Sequence, residues 1–252
     1  DWGDGVVERF DGAAQSLLHR FADNGWRDIR VTAYDEDGSY DAGLTVTVQN
    51  ADPELTGLTV SDSIEGGEAL LSGSIFDAGV LDTFTLEIDW GDGQSETIAQ
   101  GAGSSAFAVN HRYADDRAGG YAIAVTLRDD DGGSATGDTR AFVGNVAPEF
   151  GGLGVLANRV DEYGLVTLVG QVIDPGALDS HQVSVDWGDG SSESVVVDAA
   201  SRSFVATHRY ADDDPSGSAE DIYTISASVI DNAGDSGTGT TEVTIANRAP
   251  TI

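Results

Sequence analysis

Cysteine, methionine and lysine are all missing from this chain of 252 residues. Without cysteine no disulfide can brace the fold, and no thiolate can attack a substrate or hold a soft metal. Without lysine every one of the twelve basic residues is arginine, set against 44 acidic ones, for a formal net charge of −32. A surface this negative repels phosphate backbones and anionic lipid, which argues against nucleic acid and bare membrane as partners. It suits solubility, a salty surrounding or the capture of multivalent cations, and composition alone does not separate these. Proline is scarce, at five residues against 33 glycines, so turns rely on permissive backbone. No apolar run approaches the roughly 20 residues of a membrane helix, so no membrane insertion is expected. No signal peptide is seen, and the chain opens in the middle of a motif, as a piece of something longer would.

What is present is a repeat. The pentapeptide D-W-G-D-G stands at 1–5, 89–93 and 186–190, followed by H-R-F at 19–21 and H-R-Y at 111–113 and 208–210. Ala-Asp follows each time, then an alternating segment that ends in an acidic turn, then an asparagine junction at Asn50, Asn145 and Asn247. In the two full copies the pentapeptide and the histidine are 22 residues apart, and the acidic turn and the asparagine 16. Four landmarks in one order, three times over, mark tandem units. The junctions predict a truncated C-terminal half of a domain over 1–50 and complete domains over 51–145 and 146–248. Residues 249–252 are read as a linker or the start of a following unit.

Within the units the hydrophobic period is two. Leu86, Ile88 and Trp90 share a face, as do Val183, Val185 and Trp187. Tyr121, Ile123, Val125 and Leu127 form another row, repeated by Tyr223, Ile225, Ala227 and Val229. Such alternation belongs to half-buried antiparallel strands, and short strands broken by Gly and Asp turns predict a β-sandwich. A unit of about 100 residues matches one immunoglobulin-like sandwich. The expected fold is therefore all-β: tandem immunoglobulin-like antiparallel sandwiches, two complete and one truncated at its N-terminal side.

The order D-W-G-D-G, H-R-Y, an alternating strand closing in Asp and Gly, and N-x-A-P resembles the PKD domain family. That family is known from large bacterial surface and secreted proteins and from modules appended to secreted hydrolases. The resemblance covers 51–145 and 146–248 in full and 1–50 in part. Two features depart from it: Trp stands where Phe often precedes Gly-Asp-Gly, and Arg27 takes the place of Tyr121 in the first unit. The resemblance implies the sandwich fold and an extracellular, cell-surface or secreted setting.

Several motifs have both a structural and a chemical reading. In D-W-G-D-G the Trp ends an inward row and the Gly-Asp-Gly makes a tight reversal. Asp89 and Asp92 are the turn's builders or, alternatively, cation ligands. His111 and His208 lack the further His or Cys that zinc would want, and read as packing residues at a strand end. The carboxylates recur in every unit, whereas a catalytic pair is present once per active site. No G-x-S-x-G or H-E-x-x-H occurs either. The chain is read as no enzyme.

The acidic turns carry the strongest polar signal. Calcium takes six to eight oxygens from flexible loops, and D-x-D-G at Asp35–Asp37 and Asp129–Asp131, with its variant at Asp231–Asp235, resembles part of such a loop. In a sandwich of this type the first strand starts at the pole of the BC and FG loops, and the last strand leaves from the pole of the EF loop. Acidic loops of consecutive units should therefore meet at each short junction. At the second junction Asp174 and Asp179 of the BC loop and Asp231 and Asp235 of the FG loop would face Asp89, Asp92, Asp115 and Asp116, with Asn145 on the connection and Glu65 nearby. At the first, Asp1, Asp4 and Asp23 would face Asp77, Asp82, Asp129 and Asp131 across Asn50 and Asp52. Asp77, Asp82, Asp89, Asp92, Asp115, Asp116, Asp129, Asp131, Asn145, Asp174, Asp179, Asp231 and Asp235 are the candidate calcium ligands; solvated acidic turns are the plain alternative.

The expected function is a non-catalytic structural and adhesive spacer of a bacterial surface protein, stiffened by calcium. Its partners would be neighbouring domains of the same longer chain and a surface protein or glycan. The alternative is a glycan- or protein-binding accessory module of a secreted hydrolase. That reading needs an exposed aromatic platform, for which Tyr34, Tyr40, Phe107 and Tyr163 are the candidates.

Overall fold

The computed structural model describes residues 1–12, 16–211 and 218–248; residues 249–252, expected to begin a linker or a further unit, lie outside the described residues. Every regular element among the described residues is a strand. The chain forms two compact units. Unit 1 comprises Asp1–Ser61, Ala69–His111 and Gly120–Ala141, and unit 2 comprises Asp62–Glu68, Arg112–Gly119 and Phe142–Ile252. Unit 2 thus takes in two loops that belong, by sequence, to the second repeat.

In unit 1, β1 (Gly25–Tyr34) and β2 (Ser39–Val48) form an antiparallel hairpin. Its register puts Ile29, Val31 and Ala33 on the same face as Leu44, Ala42 and Tyr40, and Val31, Leu44 and Tyr40 remain more than half exposed. The second repeat supplies a sheet of β3 (Glu54–Val60), β5 (Glu68–Phe76) and β8 (Ala106–Arg112), in the order β3-β5-β8. Its second sheet has the order β10-β9-β6-β7, built from β6 (Phe84–Asp89), β7 (Ser95–Gln100), β9 (Tyr121–Asp129) and β10 (Ser134–Ala141).

Two short strands of unit 2, β4 (Ser63–Ile64) and β11 (Val143–Gly144), pair in parallel. The third repeat then forms one sheet in the order β12-β14-β17, from β12 (Glu149–Val155), β14 (Val166–Ile173) and β17 (Ser203–His208). The facing sheet has the order β13-β19-β18-β15-β16, from β13 (Arg159–Asp161), β15 (Gln182–Asp186), β16 (Ser192–Val196), β18 (Glu220–Ile230) and β19 (Ser236–Ala246). Val166, Leu168 and Phe204 of the first sheet meet Val183, Val185, Ile225, Val229 and Ile245 of the second in one core. Both complete repeats are immunoglobulin-like antiparallel sandwiches.

The expected inward rows are all buried, from Leu86, Ile88 and Trp90 to Tyr223, Ile225, Ala227 and Val229. Glycine decides two further points. Gly91 and Gly188 of the pentapeptide have φ of +78° and +81°, and a Cβ at Gly188 would lie 2.5 Å from the carbonyl oxygen of Thr224. Only a residue without a side chain fits there. Gly73 leaves room for the ring of Phe107, which a Cβ would meet at 2.7 Å. Phe107 is accordingly a core residue, 6% exposed, and not the surface aromatic expected of it.

Candidate cation centres

The pentapeptide builds the same small device three times. Trp2, Trp90 and Trp187 stack on His19, His111 and His208, with ring centroids 4.6, 4.4 and 4.9 Å apart. Each histidine Nε2 in turn meets the second aspartate of its turn: Asp4 at 2.7 Å, Asp92 at 2.8 Å and Asp189 at 2.7 Å. The first aspartate accepts from the glycine N–H two residues on, as Asp89 does from Gly91 at 2.9 Å. Asp92 also accepts from the Gln94 N–H at 2.9 Å. Burial pushes the Asp92 carboxyl up, but the bonds from His111 and Gln94 together outweigh it and hold the group below the usual carboxylate range. Asp89 and Asp92 are thus turn acceptors and join no group of converging carboxylates among the described residues, as is true of Asp1 and Asp4.

Two other acidic clusters are different. In unit 1 the β5–β6 loop brings Asp77 and Asp82 together with Asp129, which ends β9. Their oxygens lie within 4.8 Å of one another. A second group, Asp23, Asp82 and Asp131, shares Asp82. Asp82 is only 2% exposed, and its Oδ2, like Oδ2 of Asp77, is buried with no hydrogen-bond partner. Its carboxyl is pushed up to about 6, first by burial and then by the charges of Asp77, Asp23, Asp130 and Asp131. Asp129 is held in place by donors, with Asn50 Nδ2 on its Oδ2 at 2.9 Å and the Gly133 N–H on its Oδ1 at 2.6 Å.

In unit 2 the corresponding β14–β15 loop carries Asp174 and Asp179. Glu65, Asp115, Asp116 and Asp179 form one group of converging oxygens, and Asp174, Asp179 and His181 another. Both carboxylate oxygens of Asp179 and Oε2 of Glu65 are buried without partners, and Glu65 is 1% exposed. Gly176 makes this convergence possible, because a Cβ there would meet Asp179 Oδ2 and, at 2.6 Å, Glu65 Oε2. Burial, then the charges of Glu65, Asp174, Asp115 and Asp231, push the Asp179 carboxyl up to about 7. Burial also raises Glu65 and Asp116, the latter further by the charge of Asp115.

The surrounding hydrogen bonds aim these groups. Glu65 accepts the Val146 N–H on Oε1 at 2.7 Å, which leaves Oε2 for the cluster. Asn145 donates through Nδ2 to Asp231 at 2.9 Å and Asp235 at 2.8 Å, and its own Oδ1 is buried without a partner. Asp231 and Asp235 therefore anchor Asn145 and do not themselves join the converging groups. Arg202 donates to the carbonyl oxygens of Asp174 and Gly176, tying down the loop that carries Asp174 and Asp179. The Ala177 N–H reaches the Ala114 carbonyl at 2.7 Å, fixing that loop to the segment that holds Asp115 and Asp116.

Of the candidate ligands, the structure brings together Asp77, Asp82, Asp129 and Asp131 in unit 1 and Asp115, Asp116, Asp174 and Asp179 in unit 2. It adds Asp23, Glu65 and His181. A carboxylate cluster with buried, unpartnered oxygens has the donor set of a hard divalent cation. The aromatic candidates form no platform: Tyr34 and Tyr40 occupy opposite faces of the β1–β2 hairpin, and Tyr163 projects from the turn between β13 and β14.

No protein-family model and no curated protein sequence matches the chain. Among solved structures it is similar to the PKD domain of an M14-like peptidase from a Thermoplasmatales archaeon, at 17% identity over 40% of this chain and 98% of that one, with a TM-score of 0.33. It is also similar to a tetra-tandem repeat from the extending region of a large adhesion protein, at 18% identity over 88% of this chain and 57% of that one, TM-score 0.42. A third is Drosophila N-cadherin EC1-4, at 16% identity over 90% of this chain and 58% of that one, TM-score 0.36. The matches thus include a PKD domain and tandem repeats of adhesion proteins, and at these scores no activity, partner or metal is carried over from them.

Proposed function

We propose that this chain is a non-catalytic structural and adhesive spacer of an extracellular or cell-surface protein, and that its two acidic clusters bind calcium. The carrying observation is the set of buried carboxylate oxygens without partners at Asp77, Asp82, Asp179 and Glu65. A buried carboxylate lacking a donor costs free energy that a bound divalent cation returns. Each cluster also draws on two consecutive sequence repeats: Asp23 with Asp77 and Asp82, and Glu65 and Asp115 with Asp174 and Asp179. With 51–145 and 146–248 as the domains, calcium joins the end of one to the start of the next and stiffens the array.

Small-angle scattering of the chain in calcium and in chelator, at matched ionic strength, tests it. Calcium is expected to narrow the distribution of molecular dimensions. Superimposable curves at saturating calcium would remove the stiffening role.

A further inference from the structure

The two clusters occupy equivalent loops but are not copies of each other. Aligning the pentapeptides places Asp77 on Asp174, Asp82 on Asp179, Gly79 on Gly176, and Phe84 on His181. In unit 1 Asp82 lies at the crossing of two all-carboxylate groups, one with Asp77 and Asp129 and one with Asp23 and Asp131. Gly79 lies against its carboxylate: a Cβ there would sit 2.5 Å from Oδ2 and 2.6 Å from Oδ1. Asp77 accepts the Gly79 N–H on Oδ1 at 2.8 Å and keeps Oδ2 buried and unpartnered. Oδ2 of Asp77 and Oδ2 of Asp82 thus face the cluster without a donor, while Asp129 is the member already held by hydrogen bonds on both oxygens.

In unit 2 the outer group, Glu65, Asp115, Asp116 and Asp179, is again all carboxylate. The inner one is closed by the histidine. Asp174 accepts the Gly176 N–H on Oδ1 at 2.8 Å, and His181 Nε2 takes Oδ2, also at 2.8 Å. Both side chains are shut off from solvent, at 3% and 0% exposure. The oxygen that faces the cluster freely in unit 1 is thus bonded to a ring nitrogen in unit 2. Calcium takes oxygen ligands and gains nothing from imidazole.

We infer that unit 1 binds two calcium ions bridged by Asp82, whereas unit 2 binds one, His181 standing in the place of the second. The inference rests on the cation reading above and adds stoichiometry and the residue that sets it. Shared carboxylates are suited to this role, since one aspartate offers an oxygen to each ion.

Equilibrium dialysis of the full chain against calcium, with bound metal counted by atomic emission, tests it. Three ions per chain are expected. Asp82→Asn should leave one, because the two sites of unit 1 fail together, whereas Asp131→Asn should leave two. His181→Phe, which installs the residue found at the equivalent position of unit 1, should gain a fourth ion. Melting in chelator checks that each variant folds: Asp82→Asn should melt no lower than the parent chain, since it removes an unpartnered buried charge. Two ions in the parent chain, or loss of one with Asp82→Asn, would overturn the bridge. An unchanged count in His181→Phe would overturn the role of His181. No bound calcium in any form would overturn the cation reading itself.

Discussion

Asp92 and Asp179 carry the same carboxylate with opposite consequences, and the difference lies in their donors. Asp92 has His111 and two donors of Gln94, so its ionised form is held. Asp179 has none on either oxygen. The first kind of aspartate serves the fold. His111→Ala should destabilise the chain by about 1–3 kcal/mol, through the lost stack on Trp90 and the loss of one of the donors that hold the Asp92 carboxylate. The urea midpoint reads this directly, and a shift below 0.5 kcal/mol would contradict it. Gly188→Ala should cost a similar amount, about 1–3 kcal/mol, because its backbone stands at positive φ and a Cβ would press on the Thr224 carbonyl.

At the scale of elements, the strands were readable and the loops only in part. Alternation alone identified the rows of β6, β9, β15 and β18, all of which are buried. Phe107 escaped because the space that receives its ring is made by Gly73 on the neighbouring strand β5, and period-two patterning does not report a cross-strand cavity. Glu65 reads from the sequence as a neighbour of the cluster and not as a ligand. In sequence it is a turn residue before two glycines, and its role comes from the distant Val146 N–H that orients it. His181 gave no signal, since a lone histidine at a strand entry resembles many others. Arg202 is a further loop effect. Unit 1 has Ser105 at the matching position, so the guanidinium clamp of the unit 2 loop has no counterpart at that position. Arg202→Ala should weaken calcium binding in unit 2 by about tenfold, or about 1.4 kcal/mol, and leave the sites of unit 1 unchanged. Calcium titration monitored by calorimetry would show one affinity moving and the others still; movement of all of them would contradict the assignment.

For the whole molecule the clusters turn an acidic composition into a dependence on pH and cation. In the unfolded chain Asp82 and Asp179 titrate near the ordinary aspartate value of about 3.9, against about 6 and about 7 in the fold. Between those limits the folded, cation-free chain keeps protons that the unfolded chain releases. Its stability is therefore greatest near the acidic end of that window and falls as pH rises toward 7. The lowered carboxyls of Asp4, Asp92 and Asp189 act oppositely, contributing stability that is lost only as pH falls through their own acidic range. In chelator the melting temperature should thus drop between pH 5 and pH 8, and in calcium that drop should vanish. A chelated chain that melts higher at pH 8 than at pH 5 would refute the placement of Asp82 and Asp179.

The central claim is that the buried carboxylates are cation ligands, and differential scanning calorimetry at pH 7.5 in calcium, in chelator and in sodium of equal ionic strength tests it most directly. Each site held at tenfold over its Kd should add about 1.4 kcal/mol, which raises the melting temperature of a domain of about 100 residues by about 6–11 °C. The predicted result is a higher melting temperature in calcium alone. Identical melting in calcium and in chelator, or an equal rise in sodium, would contradict it.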